Sequence, residues 1–197
     1  MHTGVRTLAA SMSSGPVARL GREDFNRPTL HVARDLLGKV IAVRAGGGRV
    51  RRGMIVETEA YRGPRDLASH AAGGRRTRRV EPLYGEGGTV YVYLVYGIHW
   101  LLNFATAGAG LPEGVLIRGV LADPDGDSRL VSGPGRVTQR LGIDRRHDGD
   151  DVAVSKRIWV EDRGARVSNR QIGRGPRVGV DYAGPYWAAR PWRLWIK

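Results

Sequence analysis

The apolar positions of the chain alternate between short strand-like runs and three brief helical ones. Leu30, Ala33 and Leu37 recur at helical spacing, with Pro28 suited to a first turn and Gly38 to a stop, which predicts a helix over 29–37. Val40 to Arg44 and Val50 to Ala60 read as strands, and Gly46-Gly47-Gly48 between them predicts a hairpin. Asp66 to Ala72, after Pro64 and before Gly73-Gly74, predicts a loop and a short helix, and the aperiodic run Arg75 to Arg79 an exposed loop. Three further strands are expected from Thr89 to Tyr96, Trp100 to Ala105 and Val115 to Leu121. Gly133-Pro134-Gly135 opens a predicted helix ending at Leu141, and 152–160, 177–181 and 192–196 complete the strand set. With no repeat, heptad or composition shift, the pattern is one mixed domain of mainly antiparallel strands with helices at its edges.

Composition narrows the partners. The 197 residues carry 32 Lys plus Arg against 19 Asp plus Glu, a net charge of +13. Only Lys39, Lys156 and Lys197 are lysine, so arginine, which grips phosphates bidentately, supplies nearly all the positive charge. No apolar run approaches the roughly 20 residues that span a bilayer, which leaves nucleic acid as the favoured partner. The absence of cysteine removes disulfides, thiolate catalysis and Cys-ligated zinc, and fits a reducing compartment. Residues 1–22 hold no acid and read as a flexible basic extension before a domain over 23–197.

The stretch Ile55-Val56-Glu57-Thr58-Glu59-Ala60-Tyr61 is the most informative. Alternation in a strand puts Val56, Thr58 and Ala60 on a face that can pack, and Glu57, Glu59 and Tyr61 on the other. Two carboxylates and a phenol on one face of an apolar strand are either a paired, solvated edge or a functional site. His70 lies before a glycine pair, and a lone histidine is more often a surface or hydrogen-bonded structural residue than a catalyst. Tyr91, Tyr93 and Tyr96 crowd one strand; Tyr91 and Tyr93 share a face, and Tyr96 beside Gly97 is suited to wedging between bases. Asn103 and Arg118 are polar groups inside apolar strands, and Glu59 is a candidate partner for Arg118.

In their order, these residues resemble the 3-methyladenine (alkyladenine) DNA glycosylase family from about Phe25 to the C-terminus. The resemblance is carried by Val56 to Tyr61, Gly63-Pro64 with His70, Tyr91-Val92-Tyr93 leading to Tyr96-Gly97, Asn103, Leu116 to Arg118, Ser132 to Gly135 and Pro176 to Val180. It implies an α+β fold: a single domain with a curved antiparallel β-sheet or open barrel-like core and peripheral helices. It implies Glu59 as the base that activates water against the sugar C1′, with Arg118 helping to hold that water. Tyr61, His70 and Tyr93 would enclose the flipped base, Asn103 and Leu116 would border the pocket against guanine, and Tyr96 would enter the DNA. Gly97-Ile98-His99-Trp100, the very basic Arg75 to Arg79 loop and Leu83-Tyr84 depart from the family's usual pattern.

Such a mechanism needs neither metal nor cofactor, and the scarcity of lysine argues against a Schiff-base nucleophile and so for simple hydrolysis. The expected partner is double-stranded DNA with damaged purines, met by a monomer in the cytoplasm (at the nucleoid, in a bacterium) and not at a membrane. Two other readings stand beside this one. One is a Mg²⁺-dependent nuclease built on Glu57 and Glu59, and the other a basic DNA-binding protein without catalysis.

Overall fold

The computed structural model describes Val5, residues 17–126 and residues 128–197. Most of the expected 1–22 extension therefore lies outside the described residues. Ten strands form one antiparallel sheet: β1 (Ala18–Arg19), β2 (Val40–Arg44), β3 (Val50–Arg62), β4 (Val90–Val95), β5 (His99–Thr106), β6 (Glu113–Ala122), β7 (Arg129–Ser132), β8 (Ile158–Asp162), β9 (Ile172–Gly175) and β10 (Arg193–Ile196). The main path runs β1-β8-β2-β3-β6-β5-β4 and does not close. β10 branches from β3 and carries β9, while β7 branches from β6. Among residues 17–126 and 128–197, three helices flank it: α1 (Thr29–Asp35), α2 (Pro134–Leu141) and α3 (Pro185–Ala188). This is the α+β open sheet that the resemblance implies.

β3 is the spine. Its first half pairs with β2, nearly its whole length pairs with β6, and Glu57 to Glu59 also face β10. Two register shifts, between Ile55 and Glu57 and between Glu57 and Thr58, bulge the β3–β6 ladder at the two glutamates. Bulges bend a strand and re-aim side chains, and here they lie beside the candidate chemistry. Thr58 still points to the core, where its hydroxyl donates to Ala33 O of α1 at 2.9 Å. α1 buries Val32 and Ala33, and α2 buries Val137 and Leu141, in one core with Phe25 and Phe104 stacked edge-on at 5.7 Å.

Two small clusters frame the site outside that core: Ala71, Val80, Leu83 and Tyr91, and Ala68, Val180 and Ala183. The predicted short helix over 66–72 is absent. Asp66 accepts from the Arg62 and Ala68 N–H groups, and Ser69 Oγ from Ala71 N–H, so side chains take the donors a helix would use. Residues 63–65 and 72–74 form single 3₁₀ turns instead. The predicted strand over 177–181 is also absent, and 172–175 pairs in its place. Gly173 permits this, because a Cβ there would lie 2.3 Å from the Trp195 ring.

Candidate active site

The open sheet, the turns after β3 and the segment 176–183 enclose a cavity of about 290 Å³. Tyr61, His70, Tyr93, Asn103, Leu116 and Arg118 all line it, and Tyr96 stands at its edge. These are seven of the eight residues expected at the site. Glu59, the eighth, does not line the cavity. It lies behind the wall made by Tyr61, Arg118 and Val178, with its side chain fully buried.

The Glu59 carboxylate is held from three sides. Oε2 accepts from the Tyr61 hydroxyl at 2.9 Å, Oε1 accepts from the Val178 backbone N–H at 2.9 Å, and Arg118 Nε stands 3.6 Å from Oε1. A carboxylate offers about four acceptor positions, so the two hydrogen bonds leave room for another donor such as water. Burial raises the Glu59 pKa above the ordinary range, with Arg118, the Val178 N–H and Tyr61 opposing it. The Tyr61 hydroxyl is pushed well up, first by burial and then by the Glu59 charge, so it stays a donor.

Arg118 has Glu59 as a neighbour but Glu57 as the nearer one, at 3.2 Å, because the bulges turn Glu57 inward beside Gly119. Glu59 is thus a partner of Arg118, as expected, and Glu57 is a second and nearer one that the expectation did not include. Neither contact has hydrogen-bond geometry, and Arg118 Nε is buried with no hydrogen-bond partner among the described residues.

The aromatic side of the cavity is packed in a fixed order. The His70 ring meets Tyr93 edge-on at 4.5 Å, and Tyr91 lies 5.1 Å from Tyr93. His70 Nδ1 and the Tyr91 hydroxyl are 2.8 Å apart. His70 is pushed down to about 4, by burial first and then by Arg79 and Arg75, so it is a neutral imidazole near pH 7. Tyr91 is pushed up to about 12 by burial. Asn103 is tied across the β4–β5 ladder by its amide, which donates to Tyr91 O at 3.2 Å, and it pairs in register with Leu116.

Tyr96 is 91% exposed at the β4–β5 turn. Its φ of 52° and the 72° of Gly97 give two consecutive left-handed residues, a turn conformation that glycine and asparagine favour and tyrosine does not. A bulky ring held outward on strained backbone suggests function. Ile98, next to it, is exposed as well.

Sequence reasoning missed three contributors. Tyr91 anchors His70, and the parity of β4 placed it on the right face without giving it that role. Arg177 and Asp66 form a fully buried pair at 2.5 and 2.9 Å, and the guanidinium lies 4.6 Å from the Tyr61 ring centroid. That pair fixes the segment whose Val178 N–H reaches Glu59. Local patterning carried no signal for it, since the partners are far apart in sequence. Among the described residues, no three His, Asp or Glu side chains gather as a metal-holding group, and no helix is long and apolar enough to cross a membrane.

An aromatic cavity backed by a buried carboxylate and edged by a projecting ring is shaped to take a planar group. The profile of the methylpurine-DNA glycosylase family matches residues 23–197. A provisionally named 3-methyladenine DNA glycosylase from Anaeromyxobacter is 47% identical over 177 residues, covering 89% of this chain and 88% of its own. A protein given the same name in Myxococcus xanthus is 44% identical, covering 88% of this chain and 87% of its own. Human DNA-3-methyladenine glycosylase is 35% identical over 98% of this chain and 70% of its own. The chain belongs to the methylpurine-DNA glycosylase family. It is a DNA glycosylase of base excision repair, a hydrolase of N-glycosyl bonds whose substrate is DNA.

Proposed function

We propose that this enzyme excises alkylated or deaminated purines from duplex DNA by direct hydrolysis, acting as a monomer on chromosomal DNA in the cytoplasm. The observation that carries this reading is a cavity walled by Tyr61, His70 and Tyr93 with the Glu59 carboxylate directly behind it. A glycosidic bond within a stacked duplex is out of reach, so the nucleotide is flipped, at a cost of about a few kcal/mol. Tyr96 fills the gap left in the stack, and the basic surface offsets the deformation through phosphate contacts.

Alkylated purines such as 3-methyladenine are cationic, and tyrosine faces attract them. A neutral His70 adds no repulsion and keeps one lone pair or N–H for the base. Asn103 and Leu116 narrow the cavity where the 2-amino group of guanine would fall. Glu59 accepts a proton from water as the water oxygen bonds to C1′, and the electron pair of the C1′–N bond leaves with the base. Arg118 orients that water. A cationic base departs neutral, whereas a neutral lesion such as hypoxanthine gains a proton as it leaves.

No lysine lines the cavity, and Lys39 pairs with Asp162 at 2.7 Å, so the reading has no Schiff-base step. The test is incubation with duplexes carrying hypoxanthine, ethenoadenine or 3-methyladenine, each split between alkaline cleavage and borohydride trapping. Alkali-labile sites without a trapped covalent complex are expected. Strand breaks without alkali, or a trapped complex, would overturn the hydrolytic reading.

A further inference from the structure

We propose that Glu57 is a positioning residue of the reaction: its carboxylate shares the Arg118 guanidinium with Glu59 and keeps those two from closing into a direct bidentate pair, leaving Glu59 free to accept a proton and Arg118 free to meet water. The proposal rests on the reading of Glu59 as the base.

Four charged side chains meet behind the cavity. Glu57 and Glu59 stand at alternate positions of β3, Arg118 comes from β6 and Arg193 from β10. A single oxygen, Glu57 Oε1, serves both cations. It lies 3.2 Å from Arg118 Nε and accepts from Arg193 Nη1 at 3.1 Å. Arg193 also donates from Nε to Pro176 O at 2.9 Å, two residues before the Val178 N–H that reaches Glu59. Glu57 thus joins the guanidinium in the cavity wall to the segment that fixes the base. Gly119 allows this approach, because a Cβ there would meet the Glu57 Cβ at 3.1 Å and Oε2 at 3.4 Å.

The consequence follows from charge. Two carboxylates and two guanidiniums balance, and Arg118 sits nearer Glu57 than Glu59. If Glu57 were neutral, the nearest anion for Arg118 would be Glu59, and a bidentate Arg–carboxylate pair is the favoured geometry. That pair would occupy the Oε1 position open to water and would stabilise the ionised form of Glu59, making it a weaker base. Glu57 does not line the cavity, so it acts through Arg118 and not on the substrate. The other groups around Glu59 are Tyr61 on β3, Tyr93 on β4, its register partner Arg193 on β10 and the Val178 N–H, while Arg177 lies against the Tyr61 ring and pairs with Asp66. None of them shares the Arg118 Nε. The like charge of Glu57 also raises the Glu59 pKa, in the same direction.

The test is the pH dependence of single-turnover excision of hypoxanthine from a duplex oligonucleotide, using the full chain. Glu57→Gln is expected to move the acid limb to lower pH by about half a unit or more. Its plateau rate should fall about tenfold while affinity for the lesion duplex stays within about twofold of wild type. Arg193→Gln is expected to move the limb the opposite way, because Glu57 is then left wholly to Arg118 and a nearby cation is lost. A merely structural Glu57 would lower the folded fraction or the rate at every pH with the limb unmoved, and that result overturns the proposal. If Glu57→Gln does not fold, Arg193→Gln decides alone, and an unmoved or lowered limb refutes it. Failure of the Glu59 reading is separate: wild type would then show no acid limb, or Glu59→Gln would retain excision.

Discussion

Replacing Asp66 by Ala tests how the site is held in place. Asp66 accepts from Arg177 Nη1 and Nη2 at 2.5 and 2.9 Å and from the Arg62 and Ala68 N–H groups at 3.0 and 3.1 Å. Both side chains of the pair are wholly buried. Removing one partner of a buried pair leaves an uncompensated charge and costs about 3–5 kcal/mol. The Arg177 Nη1 bond to Ala60 O at 3.0 Å and the faces of Tyr61 and Trp192 soften that loss without replacing the anion. Since domains of this kind are stable by about 5–15 kcal/mol, the variant should fold but with much of its margin gone. Taking about 4 kcal/mol and a urea slope of about 2 kcal/mol per M, the midpoint falls by about 2 M. Tryptophan fluorescence, with Trp187 and Trp192 beside the pair, follows the transition. Arg177→Met should cost less, because Asp66 keeps its two backbone donors, and the double variant should cost less than the sum by about 2 kcal/mol. A midpoint shift below about 0.5 M for Asp66→Ala would refute the reasoning.

Tyr96→Ala should leave the melting temperature unchanged, since the ring is exposed, yet weaken binding to lesion duplex about tenfold or more; equal affinity would reject the wedge. Glu59 has a raised pKa in the folded state, so its ionisation opposes folding: the carboxyl favours the fold most below its unfolded pKa, and that advantage is lost as pH rises to the folded pKa. Glu59→Gln should therefore melt at or above wild type at pH 7, and a clear drop in calorimetry would contradict this sign. Affinity for duplex should fall with salt at a log–log slope of about −0.9 per phosphate contacted, and a flat dependence would show that the positive charge does not bind DNA.

Much of this architecture was legible because strand alternation and helix stops are local signals. The core faces of β2 and β3, the β4–β5 hairpin and α2 all follow from apolar period and glycine position. The grouping of Glu57, Glu59 and Tyr61 on one face was equally readable. What escaped depends on partners distant in sequence. The Val178-Gly179-Val180 alternation reads as a strand, but the Arg177–Asp66 pair pins that segment over the cavity instead. β9, with the sequence Ile-Gly-Arg-Gly, has little strand signature and pairs because Trp195 of β10 covers its glycines. The bulges that bring Glu57 closer than Glu59 to Arg118 leave no mark in a period-2 pattern.

The central claim is that Glu59 removes the proton from the attacking water. Its most direct test is single-turnover excision of hypoxanthine by Glu59→Gln under saturating enzyme, with lesion-duplex affinity measured in parallel. Loss of a general base predicts a rate lower by about 100-fold or more with affinity within about twofold. Excision by the Gln variant within about threefold of wild type would contradict the account.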